Sequence, residues 1–343
     1  LFNRKFRYRR FLFLSLLALC LSYQLIQADY LAAKTQYIIK FATVAPEGST
    51  WVKHMRTLDK NLRAKSSGQL GFRIYAGGIA GDELDVLKKI RIGQIHCAAF
   101  SGVGLGQILP MVRVLDLPFL FQNIEEIDLV HLELLPFFTN EFRKKGFEFL
   151  AWAEVGNVHL FSKKPISIVK DLSRLKVWTW SGDPISKETF ATMGINPIPL
   201  AITDVTTALS TGMIDTVYAP PLGALALQWN ISMNYMTALP LAHSTGAVLI
   251  SSKYLKKLPQ DLSRLLASTF DKAMADLTSA LREQNREAIQ MIRDSGLTII
   301  PIPSGVALEE FYVIHSQVAR KLTGKIYSRE ILERVYRILK RPH

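Results

Sequence analysis

Cysteine is nearly missing from this chain, with two in 343 residues, Cys20 and Cys97. Cys20 falls in an apolar N-terminal stretch expected to act as a targeting segment. The folded part then keeps one thiol, which can neither close an internal disulfide nor join a cysteine pair on zinc. Cys97 sits within Ile95-His96-Cys97-Ala98-Ala99-Phe100 and is expected to be a buried small hydrophobe. Catalytic signatures are missing too. There is no G-x-S-x-G elbow, no P-loop and no H-E-x-x-H. The histidines at 54, 96, 131, 159, 243, 315 and 343 never fall four apart. No metal, no cofactor and no enzymatic activity are expected. Gly102-x-Gly104-x-Gly106 superficially resembles a dinucleotide loop, but its spacing is wrong and Pro110 interrupts where a phosphate-binding helix would run. It is expected to be a flexible loop whose backbone N–H groups line a cleft. The adjacent acids Glu125/Glu126 and Glu309/Glu310 face different directions on helices and are expected to be solvated.

Long apolar runs are also lacking beyond the first thirty residues, so no later transmembrane helix is expected. Within them, Arg4, Lys5, Arg7, Arg9 and Arg10 precede Phe11–Leu21, an apolar run shorter than a membrane span and suited to a signal-peptide core. Residues 1–33 are therefore expected to be a signal peptide, cut after Ala28 or Ala33, or a retained N-terminal anchor. Cys20 is a weak lipidation candidate because Leu19 precedes it.

What the chain has in surplus is positive charge, a net +13. Residues 1–28 carry five bases and no acid, and residues 320–343 carry eight bases against Glu330 and Glu333, which leaves +2 for everything between. So neutral a body offers no phosphate-tracking surface, and no nucleic-acid partner is expected. The basic tail, expected as a helix over 326–343, is read as a solvated face or as a contact with an acidic partner or membrane surface.

A composition of 49% hydrophobic and 21% charged residues is that of a globular protein. The length exceeds one ordinary core, so two lobes are expected. Tyr37–Thr43 is strand-like, Ser49 can cap a helix running to Ser66, and Gln69–Tyr75 is strand-like again. A helix from Gly81-Asp82-Glu83 to Ile92 and a strand over His96–Phe100 follow. Such alternation predicts parallel α/β layers, whose ligands sit beyond the carboxyl ends of the strands. Val44–Ser49 and Ser101–Gly106 are thus the first candidate loops. A second α/β unit follows Phe147–Ala153, through Lys176–Trp180, Pro184–Met193, Ile202–Ser210 and Thr216–Ala219, and the chain returns through the β-like His243–Ser251. A helical period over Gln260–Arg293 predicts a helix roughly 50 Å long, enough to brace two lobes.

Phe41-Ala42-Thr43-Val44-Ala45-Pro46-Glu47-Gly48-Ser49, Gly77-Gly78-Ile79-Ala80-Gly81-Asp82-Glu83 and Leu117-Pro118-Phe119-Leu120-Phe121 form an ordered series with three further motifs. These are Asp171-Leu172-x-x-Leu175-Lys176, Ala208-Leu209-x-x-Gly212-x-x-Asp215 and Leu258-Pro259-x-x-Leu262. The series, over residues 37–325, resembles the DctP-type solute receptors of TRAP transporters. The resemblance implies a two-lobe α/β periplasmic-binding-protein fold with a cleft between the lobes and a long helix shared by both. Lobe I is expected over 37–156 and 247–288, and lobe II over 157–246 and 289–325. It also implies a periplasmic location and delivery of a small-molecule ligand to a TRAP membrane permease.

Family members carry a carboxylate-clamping arginine on a strand where this chain has Trp178, and a second position often basic falls near Val158. An indole cannot neutralise a carboxylate, so the expected ligand is apolar, aromatic or amphipathic, stacked on Trp178. The candidate contacts are Val44, Pro46, Trp51, Ser101, Gly102, Asn157, Val158, Trp178, Trp180, Tyr218, Ala219, Pro220, Trp229, His243 and Ser244. Trp180, Trp51 and Trp229 are equally compatible with core packing, and His243 with a structural role. The competing readings are a periplasmic carrier of a hydrophobic or lipid-like molecule, a receptor that binds an ordinary organic acid through other polar groups, and an enzyme on an α/β scaffold.

Overall fold

The computed structural model describes residues 36–341, and the targeting segment expected over 1–33 lies outside them. The first lobe is built on β1 (Tyr37–Ala42), β2 (Leu70–Tyr75), β3 (Cys97–Ser101) and β4 (Phe147–Trp152). The helix Thr50–Lys65 joins β1 to β2. Ser49 caps it by accepting from Val52 N–H, and Trp51, Val52, Met55, Leu58 and Leu62 recur on its buried face. Cys97 is fully buried.

The second lobe holds β5 (Gly156–Ser162), the short pair β6 (Trp178–Trp180) and β7 (Ile198–Leu200), β8 (Thr216–Ala219), β9 (Tyr235–Thr237) and β10 (Ala242–Ser244). The chain then returns to the first lobe as β11 (Gly246–Ser251), and β12 (Thr298–Ile300) closes the second sheet. The sheet orders are β2-β1-β3-β11-β4 and β10-β5-β9-β12, with β8 beside β5. The parallel layer expected from the first three strands is present, within sheets that are mixed as a whole. β1 runs parallel to β2 and β3, but β11 is antiparallel to both its neighbours, and β5 is antiparallel to β8, β9 and β10. These antiparallel pairings come from the strands that carry the chain across between lobes and enter each sheet from the opposite end.

The expected single strand over His243–Ser251 is likewise two strands in two sheets, broken at Thr245. Both crossings run side by side: Ala153 N–H donates to the Gly246 carbonyl at 2.8 Å, and Ser244 pairs with Gly156. A Cβ at Gly246 would stand 2.2 Å from the Ala153 carbonyl oxygen, so only glycine lets the two segments approach.

The long helix spans Gln260–Asp294. Leu262, Leu266, Phe270, Met274, Leu277 and Leu281 enter the core of the first lobe with Ile39 and Phe41. Ile292 enters that of the second with Phe161 and Trp178. Each buried leucine contributes about 2 kcal/mol, so one amphipathic face ties the helix to both lobes. Arg282 grips the first crossing through Glu154 (2.6 Å), and Asn285 Nδ2 donates to the Val155 carbonyl (3.3 Å).

A further helix, Ile124–Lys144, is capped by Asn123 and contains Pro136, which obscures its periodicity in the sequence. Glu126 in its first turn is not simply solvated: it accepts from Gln122 N–H and Arg341. Glu309 and Glu310 are exposed. The last helix, Arg329–Ile338, packs on Ile124–Lys144 and on the 3-10 turn Pro110–Asp116. Part of the basic tail is spent internally, with Arg334 over the Phe137 ring (5.3 Å) and Arg341 on Glu126 (2.6 Å). No helix among the described residues is long and apolar enough to cross a membrane.

Candidate ligand-binding site

A cavity of about 640 Å³ lies between the lobes, within the range that encloses small organic ligands. The turn after β1 contributes Val44, Pro46 and Trp51, and the end of β3 contributes Ser101 and Gly102. From the second lobe come Val158, Trp178, Trp180, Tyr218, Ala219, Pro220 and Trp229, with His243 and Ser244 at the crossing. Asn157 is the exception among the expected contacts. Alternation along β5 turns Val158 inward and leaves Asn157 exposed, where its Oδ1 accepts from His243 Nδ1 at 3.1 Å.

Trp178 reaches the cavity wall but offers it little. Its side chain is packed, 1% exposed, and its Nε1–H is spent on the Leu200 carbonyl (3.1 Å). Tyr218 stacks on its ring at 4.8 Å and 22°, while Trp229 meets it edge-on at 5.3 Å. The indole face expected to receive the ligand is therefore covered by Tyr218. Trp178 is a backing residue that fixes Tyr218, whose hydroxyl accepts from Trp180 N–H at 3.1 Å. Trp229 is fully buried in the same cluster, with Nε1–H donated to Thr206 Oγ1 (3.2 Å).

The expected glycine loop is a short helix, Gly102–Ile108, capped by Ser101. Its glycines make room rather than flexibility. A Cβ at Gly102 would lie 2.0 Å from Asp116 Oδ2 and 2.5 Å from Arg113 Nη1; at Gly104 it would meet Glu83, and at Gly106 the Arg113 stem. Against this small-residue face sits a cluster of charged groups absent from the expected contacts: Glu83, Arg113, Asp116 and Asp183, all buried and all lining the cavity. Arg113 Nη2 donates to Asp183 Oδ1 at 2.6 Å, and Nη1 lies 3.3 Å from Asp116 Oδ2. Burial works against its charge, but Asp183 and then Asp116 outweigh that and hold its pKa above the ordinary value. Burial pushes the Asp116 carboxyl up to about 6, with Arg113 pulling the other way. Glu83, which accepts from Ser101 N–H, Ser101 Oγ and Gly104 N–H at 2.8–2.9 Å, is raised by burial to about 7.

A signal for this cluster existed in the sequence. Arg113 and Asp116 interrupt Leu109–Leu120, an otherwise apolar run, three residues apart, and a charge pair in such a run is buried together or not at all. Asp183, 70 residues away, could not have been joined to it.

Arg113 Nε and Asp116 Oδ2 make no hydrogen bond, although Oδ2 keeps its ion pair with Arg113 Nη1; at the crossing His243 Nε2, near the Phe121 and His131 rings, makes none either. Burial lowers the His243 pKa well below the ordinary value, so the ring is neutral. With Nδ1–H given to Asn157, Nε2 is a free acceptor. The cavity thus has one polar end and a wall of Val44, Pro46, Ile202, Leu222, Leu225 and aromatic rings.

Residues 41–322 match the family model described as bacterial extracellular solute-binding protein, family 7. Among curated proteins, the chain is 24% identical over 267 residues to the C4-dicarboxylate-binding periplasmic protein DctP of Rhodobacter capsulatus, covering 76% of this chain and 79% of that one. Among solved structures, a TRAP periplasmic solute-binding protein from Sulfurospirillum deleyianum with bound succinate superposes with TM-score 0.83 at 19% identity, over 89% of this chain and 100% of that one. The sugar acid binding protein DctPAm from Advenella mimigardefordensis, in complex with galactonate, gives TM-score 0.83 at 21% identity, over 88% and 97%. These likenesses establish the two-lobe fold.

Proposed function

The chain belongs to bacterial extracellular solute-binding protein family 7, and from that premise we propose that it captures a small amphipathic organic molecule in the periplasm and delivers it to a TRAP-type membrane permease. The observation that carries this reading is the division of the cavity into an apolar wall and one polar end. The expected stacking on Trp178 gives way to contact with Tyr218, Val44, Pro46 and Leu222, which line the cavity and keep part of their surface open. The groups at the polar end fix orientation, because a buried donor or acceptor left unpaired costs more than a well-placed contact gains.

Capture works by closure. The cavity wall comes from both lobes, so a ligand that touches both stabilises the closed arrangement by its differential affinity for it. The crossing segments at Ala153–Gly156 and Ser244–Gly246 are the covalent hinge, and the long helix limits its travel.

The test is native mass spectrometry of protein purified without refolding, followed by extraction and identification of what it retains. The expected outcome is one molecule per chain, with an apolar skeleton and one polar end. A short aliphatic diacid held at high affinity would overturn the amphipathic assignment. A lipid recovered in its place would support the carrier reading.

A further inference from the structure

The charges that line the cavity do not balance. Among the described lining residues Arg113 is the one base, against Glu47, Glu83, Asp116 and Asp183. Glu47 is paired with Arg56 at 2.6 Å, at the exposed mouth. Inside, Arg113 faces two carboxylates of its own chain. Asp116 comes from the same turn of the first lobe, and its Oδ1 accepts from Thr245 N–H (3.0 Å) at the second crossing. Asp183 comes from the second lobe, where its Oδ1 also accepts from Ile185 N–H (3.0 Å) to cap the helix Pro184–Thr192. Beside it Gln107 donates to the Gly182 carbonyl (3.2 Å), and Trp180 Nε1–H donates to Asp82 (2.9 Å). Asp183 therefore stands where the lobes meet, holding the guanidinium of one lobe from the other.

We propose that Asp183 sets the charge class of the ligand: it fills, from the protein itself, the place beside Arg113 that a ligand carboxylate would take. The head group admitted is uncharged and both donates and accepts hydrogen bonds, a primary carboxamide being its simplest form. This rests on the amphipathic reading of the same cavity. An incoming carboxylate would compete with Asp183 for Arg113 while facing Asp116 and Asp183 across low-dielectric surroundings. Arg113 is already neutralised by Asp183 at 2.6 Å and Asp116 at 3.3 Å, so a carboxamide, which accepts at its oxygen and donates at its NH₂, meets this end without adding a charge to it. No proton transfer or charge displacement is required.

The test uses a matched pair of probes, 4-phenylbutyrate and 4-phenylbutyramide, titrated calorimetrically into the wild type, Asp183→Ser and Asp183→Asn. Serine and asparagine both cap helices, so the two variants keep the fold by different side chains. The wild type should bind the amide at least tenfold more tightly than the acid. Both variants should gain at least tenfold for the acid and narrow or reverse the preference. An acid bound by the wild type as tightly as the amide overturns the proposal, and so does the absence of any gain for the acid in both variants. Failure of the receptor reading itself would look different: no molecule retained in native mass spectra and no closure, by small-angle scattering, with any solute.

Discussion

Replacing Trp178 by alanine separates a residue that touches the ligand from one that holds up the residue that does. The indole is buried against Tyr218, Trp180 and Trp229 and donates to the Leu200 carbonyl. Truncating a buried tryptophan costs roughly 3–5 kcal/mol through lost transfer energy and the cavity left behind. The orphaned carbonyl adds about 1 kcal/mol. A total of about 5 kcal/mol in a chain of this size lowers Tm by roughly 10 °C. The direct loss in affinity should be small, under about tenfold or 1.4 kcal/mol, because the ligand meets Tyr218 and not the ring behind it. Scanning calorimetry of the ligand-free protein and titration with the extracted ligand read the two effects separately. An unchanged Tm together with a hundredfold loss of affinity would refute the backing role and return the indole to the ligand surface.

Two further substitutions test the packing and electrostatics around the cavity. Gly102→Ala drives a methyl group into Asp116 and Arg113, both of which are buried and pinned. It should cost about 3 kcal/mol in urea unfolding and weaken ligand binding, whereas Gly223→Ala, whose nearest neighbour would be Pro220 Cδ at 3.6 Å, should be tolerated. His131, stacked on Trp152 at 4.5 Å, has its pKa lowered by burial to about 4. A group depressed in the folded state contributes stability above its ordinary value near 6.5 and loses it as pH falls toward 4, here up to about 3 kcal/mol. His131→Phe should flatten that part of the profile, measured as unfolding free energy at pH 7.5, 6 and 4.5. Equal slopes in the two proteins would show that His131 does not titrate this way.

How much of this was legible beforehand depended on the range over which each feature is written. Ser49 with its apolar spacing, and the 35-residue helix with its stripe from Leu262 to Ile292, are local patterns, and their bounds came within a residue or two. The extent of the helix Ile124–Lys144 hid behind Pro136, and the break at Thr245 hid because a single residue separates two strands that pack in different sheets. Fourteen of the fifteen expected contacts line the cavity, since strand ends and the turns beyond them converge there for topological reasons. Their roles were less readable. Trp178 was read from the arginine it replaces, yet a tryptophan beside Tyr218 and Trp229 gains more by packing than by facing a cleft. The charge of the site was missed for a related reason. Arg113 lies in a different part of the chain from the position where an arginine was sought, and its meaning depends on Asp183, which only the meeting of the lobes brings to 2.6 Å. A sequence shows that a base exists in an apolar run. Whether that base is offered to a ligand or already held is decided by which acid the fold sets against it.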